Sequence, residues 1–249
     1  MSLLMKKTLL AFSLLFTQPL MAIEVSYTST AIIIDGVSES TWDSATWHPM
    51  PHLMDGALPS SDADFKGRYR LLWDENYLYL QADISDDVLI DTHPNPTDKY
   101  WDDDALEVFI DSDASGGNHQ FNHTAFAYHI GLDNQAADYG PDKKAHLYTD
   151  HLVSSWKRNT TAPYNITWEV AIKLYPNDYQ QGAQNTPLKL TEKHVIGFML
   201  AYCDNDGSKV REHFMGSHEV KPVNGDRNRG FIDADVFGKI TLLPKVSNH

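Results

Sequence analysis

Cysteine is almost missing from this chain. Cys203 is the only one, so no disulfide can form within it. A fold of 249 residues without cross-links relies on its apolar core or on bound metal. Cations are scarce as well. Twenty Lys and Arg stand against 34 Asp and Glu, a formal net charge of −14. That balance speaks against nucleic acid, because phosphate binding needs clustered cations. It also speaks against adsorption on anionic lipid. It suits a neutral ligand, a cation or a basic partner, and neutral sugars and calcium both qualify. No apolar run approaches the roughly 20 residues that span a bilayer. Helical periodicity is sparse, and there is no Gly/Ser linker and no internal repeat. Gly-x-Ser-x-Gly, Walker and dinucleotide motifs are absent. His119, His123 and His129 lie close in sequence, without a zinc-motif spacing.

The hydrophobic fraction is 42%, enough for a core, and only 22% is charged. At the N-terminus Lys6 and Lys7 precede an apolar run from Leu9 to Phe16, and Ala22 offers a small residue for cleavage. These are the three regions of a secretory signal peptide. Residues 1–22 are therefore expected to be removed, leaving 23–249 as one domain with net charge −16 in the periplasm or outside the cell. No cysteine follows the apolar run to carry a lipid anchor.

The dominant period is two. Arg68–Trp73 and Tyr77–Asp83 flank Asp74-Glu75-Asn76, a hairpin pattern. In 106–111, Leu106, Val108 and Ile110 share one face, with Glu107 opposite. In 166–174, Ile166, Trp168, Val170, Ile172 and Leu174 point one way and Glu169 and Lys173 the other. Further strands are expected at Ala31–Ile34, Ala125–Leu132, Leu152–Arg158, Val195–Cys203 and Phe237–Leu243, and a short helical turn at Ser38–Asp43 capped by Ser38. The expected fold is all-β, an antiparallel two-sheet β-sandwich of jelly-roll or immunoglobulin-like kind.

The densest polar segment is Tyr100-Trp101-Asp102-Asp103-Asp104-Ala105-Leu106-Glu107. Trp101 at a strand mouth can serve as a platform for a pyranose face, and Glu107 can accept hydrogen bonds from sugar hydroxyls. A solvated acidic loop is the plainer alternative. Asp111-Ser112-Asp113-Ala114-Ser115-Gly116 places oxygens like the first half of a calcium loop, but its closing Glu is replaced by Asn122. A strand-ending turn is the alternative there, as it is for Asp204-Asn205-Asp206-Gly207-Ser208. Cys203 reads as buried filler within a strand.

Taken in order, several segments resemble the family 9 carbohydrate-binding modules that commonly accompany xylanases. They are Ile33–Trp42, Arg70–Leu80 with its WDENYLYL run, Trp101–Asp111, Trp168–Ile172, Ile196–Phe198 and Val236–Ile240. The resemblance implies a calcium-binding β-sandwich whose sugar lies between two aromatics. Carried over by position, it implies Trp101 and Phe231 as stacking residues and Glu107, His129 and Asn228 as polar ligands. His129 stands where the family has a different polar residue, and Phe231 where it has Trp. Calcium is implied as a structural ion, with Asp111 and Asp113 as candidate ligands. The expected function is non-catalytic carbohydrate binding beside a separately encoded glycoside hydrolase in polysaccharide catabolism. Two alternatives stand. One is a haem-binding redox module using His and Met, for which Met199 and Met215 are available. The other is a glycoside hydrolase drawing on Asp102, Asp103, Asp104 and Glu107.

Overall fold

Both faces of the central strands turn out to be covered. The computed structural model describes residues 22–160 and 163–245, so the expected signal peptide, up to residue 21, lies outside the described residues. Among the described residues the strands, in chain order, are β1 (Ile23–Tyr27), β2 (His48–Pro49), β3 (His52–Gly56), β4 (Phe65–Trp73), β5 (Leu78–Asp86), β6 (Ala105–Asp111) and β7 (Phe126–Gly131). They continue with β8 (Ala136–Tyr139), β9 (Ala145–Leu147), β10 (Leu152–Arg158), β11 (Ile166–Ile172), β12 (Val195–Asp204), β13 (His213–Gly216) and β14 (Gly238–Leu242).

One sheet runs β10-β11-β5-β4, and the other runs β14-β12-β6-β7-β8-β9 with β13 and β3 attached beyond β12. Pairing within each is antiparallel. β1 departs from that pattern. Its first residues pair in parallel with β14 (Ile23 with Ile240) and its last with β4 (Tyr27 with Trp73), so one short strand joins the two sheets.

The main core fills the space between the sheets. Leu106, Val108 and Ile110 of β6 share one buried cluster with Trp168, Val170 and Ile172 of β11 and with Trp73, Leu80, Phe198 and Leu200. This is the face that the alternation of these segments selects. Each such aliphatic side chain, fully buried, contributes about 1.5–3 kcal/mol. The opposite faces are covered too. Residues on the outer face of β6 and β12, Phe109, Met199, Ala201 and Cys203, pack with Phe214, Val220 and Phe237. On the other sheet, Leu72, Tyr79 and Ala171 pack under Ile32 and Trp42. Hence every residue of β6 is buried, Glu107 included.

Several expectations shift. Ala31–Ile34 forms no ladder; it crosses the outer face of its sheet. The short helical turn is a 3-10 turn at Ser40–Ser44 without a side-chain cap. The Ser38 hydroxyl instead accepts from Arg70 Nη2 at 2.8 Å. β1, β2, β3, β8, β9 and β13 were not foreseen, because segments of two to five residues are too short to show a period.

Candidate functional site

A cavity of about 580 Å3 opens on the outer face of the β6 sheet. Trp101, Glu107, His129, Asn228 and Phe231 all line it, so the structure brings together the five residues named as ligand-binding. Tyr100, Asp102, Asp138, Tyr139, Asp55 and Arg211 complete most of the wall.

Strand register builds the floor. Glu107 on β6 lies opposite His129 on β7, and Glu107 Oε2 sits 3.0 Å from His129 Nε2. The second ring nitrogen, Nδ1, lies 3.3 Å from the Ala127 carbonyl oxygen. Both nitrogens thus face acceptors, which suits a doubly protonated ring. Burial alone would lower the His129 pKa, but the Glu107 carboxylate and the Cys203 sulfur outweigh it and push it up to about 10.

Cys203 is more than filler. It is fully buried, and Arg211 Nη1 donates to its Sγ at 3.3 Å. Arg211 Nη2 donates to Asp55 Oδ2 at 3.2 Å, and the guanidinium lies 4.0 Å over the Phe214 ring. The guanidinium is therefore held in place before any ligand arrives. Asp138 accepts from Ala127 N at 2.8 Å and from Tyr139 N at 2.7 Å, while burial raises its pKa to about 7.

Tyr100 positions the aromatic wall. Its ring makes edge contacts with Trp101 (5.0 Å between centroids) and His129 (4.8 Å), and lies tilted 6.2 Å from Tyr139. Phe231 and Asn228 arrive on the segment leading to β14. A Cβ on Gly230 would lie 2.5 Å from Phe109 Cε1, so only glycine lets that segment approach the sheet this closely.

The acids beside Trp101 separate by role. Asp103 accepts from Thr92 Oγ1 at 2.8 Å and His93 N at 2.9 Å. Asp104 accepts from Ile90 N at 2.6 Å and Asn205 N at 2.8 Å. Of the four carboxylates weighed for hydrolysis, only Asp102 and Glu107 line the cavity. The two methionines weighed for haem pack in separate apolar clusters, Met199 on the outer face and Met215 in the main core.

Asp111 and Asp113 shape the turn that leaves β6. Asp111 accepts from Asp113 N at 3.3 Å and Gly116 N at 2.7 Å, and Asp113 accepts from Ser115 N at 3.1 Å and Asn177 Nδ2 at 2.8 Å. A different acidic group converges elsewhere. One oxygen from each of Asp86, Asp204 and Asp206 lies within 4.8 Å of the others, and Asp64, Asp87 and Asp206 meet in the same way. Asp86 and Asp204 are 0% exposed, yet Asp86 Oδ1 and both oxygens of Asp204 lack a hydrogen-bond partner. Burial and mutual repulsion push the Asp204 pKa up to about 9 and that of Asp86 to about 7.

These features agree with what the chain is similar to. Residues 34–245 match the family described as carbohydrate family 9 binding domain-like, and the chain belongs to that family. It is 30% identical over 213 residues to endo-1,4-beta-xylanase A of Thermotoga maritima, covering 85% of this chain and 17% of that protein. It is 27% identical over 215 residues to endo-1,4-beta-xylanase C of Paenibacillus barcinonensis, at 85% and 16%. The chain thus spans about a sixth of the length of these relatives. Among solved structures, a family 9 carbohydrate-binding module of Caldicellulosiruptor kristjanssonii in complex with cellotriose superposes with a TM-score of 0.64 at 19% identity, covering 91% of this chain and 96% of that one. The β-sandwich expected from the sequence is therefore the fold observed. Among the described residues no helix is long and apolar enough to cross a membrane.

Proposed function

We propose that the cavity binds a neutral saccharide and leaves it chemically unchanged. The observation that carries this reading is the meeting of Trp101 and Phe231 with the Glu107–His129 pair in one cavity. A sugar ring has apolar C–H faces and a rim of hydroxyls. Trp101 and Phe231 can cover the faces, while Glu107, Asn228 and Arg211 can engage the rim. Since Glu107 and His129 already neutralise each other, a neutral ligand meets no large uncompensated charge from that pair. Binding of this kind needs no proton transfer.

Covering about 100 Å2 of sugar on Trp101 is worth about 2–3 kcal/mol at ~25 cal/mol per Å2, or roughly 30- to 150-fold in affinity. Trp101→Ala should therefore weaken retention on β-glycan by more than about tenfold with an unchanged unfolding temperature. Equal retention by the two proteins would refute the reading.

The xylanase relatives support a partner glycoside hydrolase acting on the same polysaccharide. A polysaccharide ligand and the N-terminal leader pattern support a periplasmic or extracellular location. Calcium, as a structural ion, finds its best-fitting donors at Asp86, Asp204 and Asp206, where buried oxygens lack partners. Asp111 and Asp113 suit it less, because their oxygens are engaged in the turn.

A further inference from the structure

We propose that a divalent cation held by Asp86, Asp204 and Asp206 sets the sugar affinity of the cavity, with Asn205 as the positioning residue that links the two. This rests on the cavity being a sugar site.

The link is a short path of hydrogen bonds. Asn205 lies between two of the acids, at the end of β12. Its N–H donates to Asp104 Oδ1 at 2.8 Å, and its Nδ2 donates to the Asp102 carbonyl oxygen at 2.6 Å. It thereby ties the β12–β13 connection to the loop that carries Tyr100, Trp101 and Asp102. Its own Oδ1 accepts from Gly207 N and Ser208 N, both at 2.8 Å. The connection is then closed on itself: Asp206 N donates to Glu212 Oε2 at 3.0 Å, and Glu212 N donates to the Asp204 carbonyl oxygen at 2.8 Å. Arg211 and Val210, which wall the cavity, stand on this same connection.

A cation therefore acts on two walls at once. Without it, Asp86 Oδ1 and both oxygens of Asp204 stay buried without a partner, and the connection is free to relax away from β5, which ends at Asp86. With it, the buried oxygens gain the partner they lack, and Asn205 holds the Trp101 loop and Arg211 in register. Calcium suits the site because it takes several carboxylate oxygens in flexible geometry. Linkage then requires that sugar raise the calcium affinity by the same factor as calcium raises the sugar affinity.

The test uses the full chain with calcium and cellotriose as probes, by calorimetry and hydrogen exchange. Chelation should weaken cellotriose binding at least about fivefold, with recovery on adding calcium. Calcium should also slow exchange at residues 100–104 and 204–212. Asn205→Ala should still bind calcium but bind cellotriose weakly, whether or not chelator is present. Calcium binding that leaves cellotriose affinity unchanged would overturn the proposal, as would calcium binding without slowed exchange in those two segments, or no calcium binding at all. Calcium that slows exchange in a protein that never binds cellotriose would refute the sugar reading while supporting the cation strap.

Discussion

Trp101 and Glu107 were legible in the sequence because each breaks a local rule. A Trp among carboxylates does not pack, and a Glu opposite Leu106, Val108 and Ile110 must face something other than the main core. Arg211 left no such sign. It precedes a four-residue strand, and only the folded connection carries it to Cys203 and the cavity. Tyr100 was visible as the neighbour of Trp101 but not as the ring that contacts His129. At this scale His129 makes a sharp prediction. Its folded pKa of about 10 exceeds the unfolded value of about 6.5. The stability it contributes is fully present below about pH 6.5 and is lost as pH rises through about 10. The gap in unfolding free energy between wild type and His129→Gln should therefore shrink from pH 6.5 to 10 in urea titrations. A constant gap would contradict the ion pair. Phe231→Ala should weaken sugar binding less than Trp101→Ala in the same calorimetric assay, since the smaller ring covers less of the sugar.

Among the elements, alternation located β4, β5, β6, β10, β11 and β12 to within a few residues, because one face of each must enter the core. It could not reveal that the outer faces are covered as well. Coverage of the outer face depends on long segments without a period, such as residues 29–45. Glu169 shows how that segment is held. Its carboxylate accepts from Asp35 N at 3.2 Å, Gly36 N at 3.0 Å, Trp42 Nε1 at 2.9 Å and Gln81 Nε2 at 3.2 Å, all on a side chain with 0% exposure. From sequence it read only as a strand residue facing away from Ile166, Trp168, Val170, Ile172 and Leu174. Glu169→Gln sets an amide against N–H donors, so it should cost about 2–4 kcal/mol in chemical unfolding. It should leave sugar affinity nearly unchanged, because the cavity lies on the other sheet.

For the whole molecule, the charge of −14 excluded phosphate polymers without identifying a ligand. The structure gives part of that excess a place, where Asp86, Asp204 and Asp206 converge and where Asp64, Asp87 and Asp206 converge. A neutral sugar should still bind with little regard to salt. Affinity at saturating calcium should change less than about twofold between about 0.05 and 0.5 M salt, because the Glu107–His129 pair is buried from screening ions. A steep salt dependence in calorimetry would point to a charged ligand instead. The parallel pairing of β1 with β14 has a mechanical consequence as well. A pull applied to residues 22 and 245 draws these strands in opposite directions along their own length. The bonds joining Ile23–Val25 to Ile240–Leu242 are then strained together in shear, with the sandwich behind them, instead of opening one at a time. A sugar-bound molecule tugged by its ends would resist as a clamp.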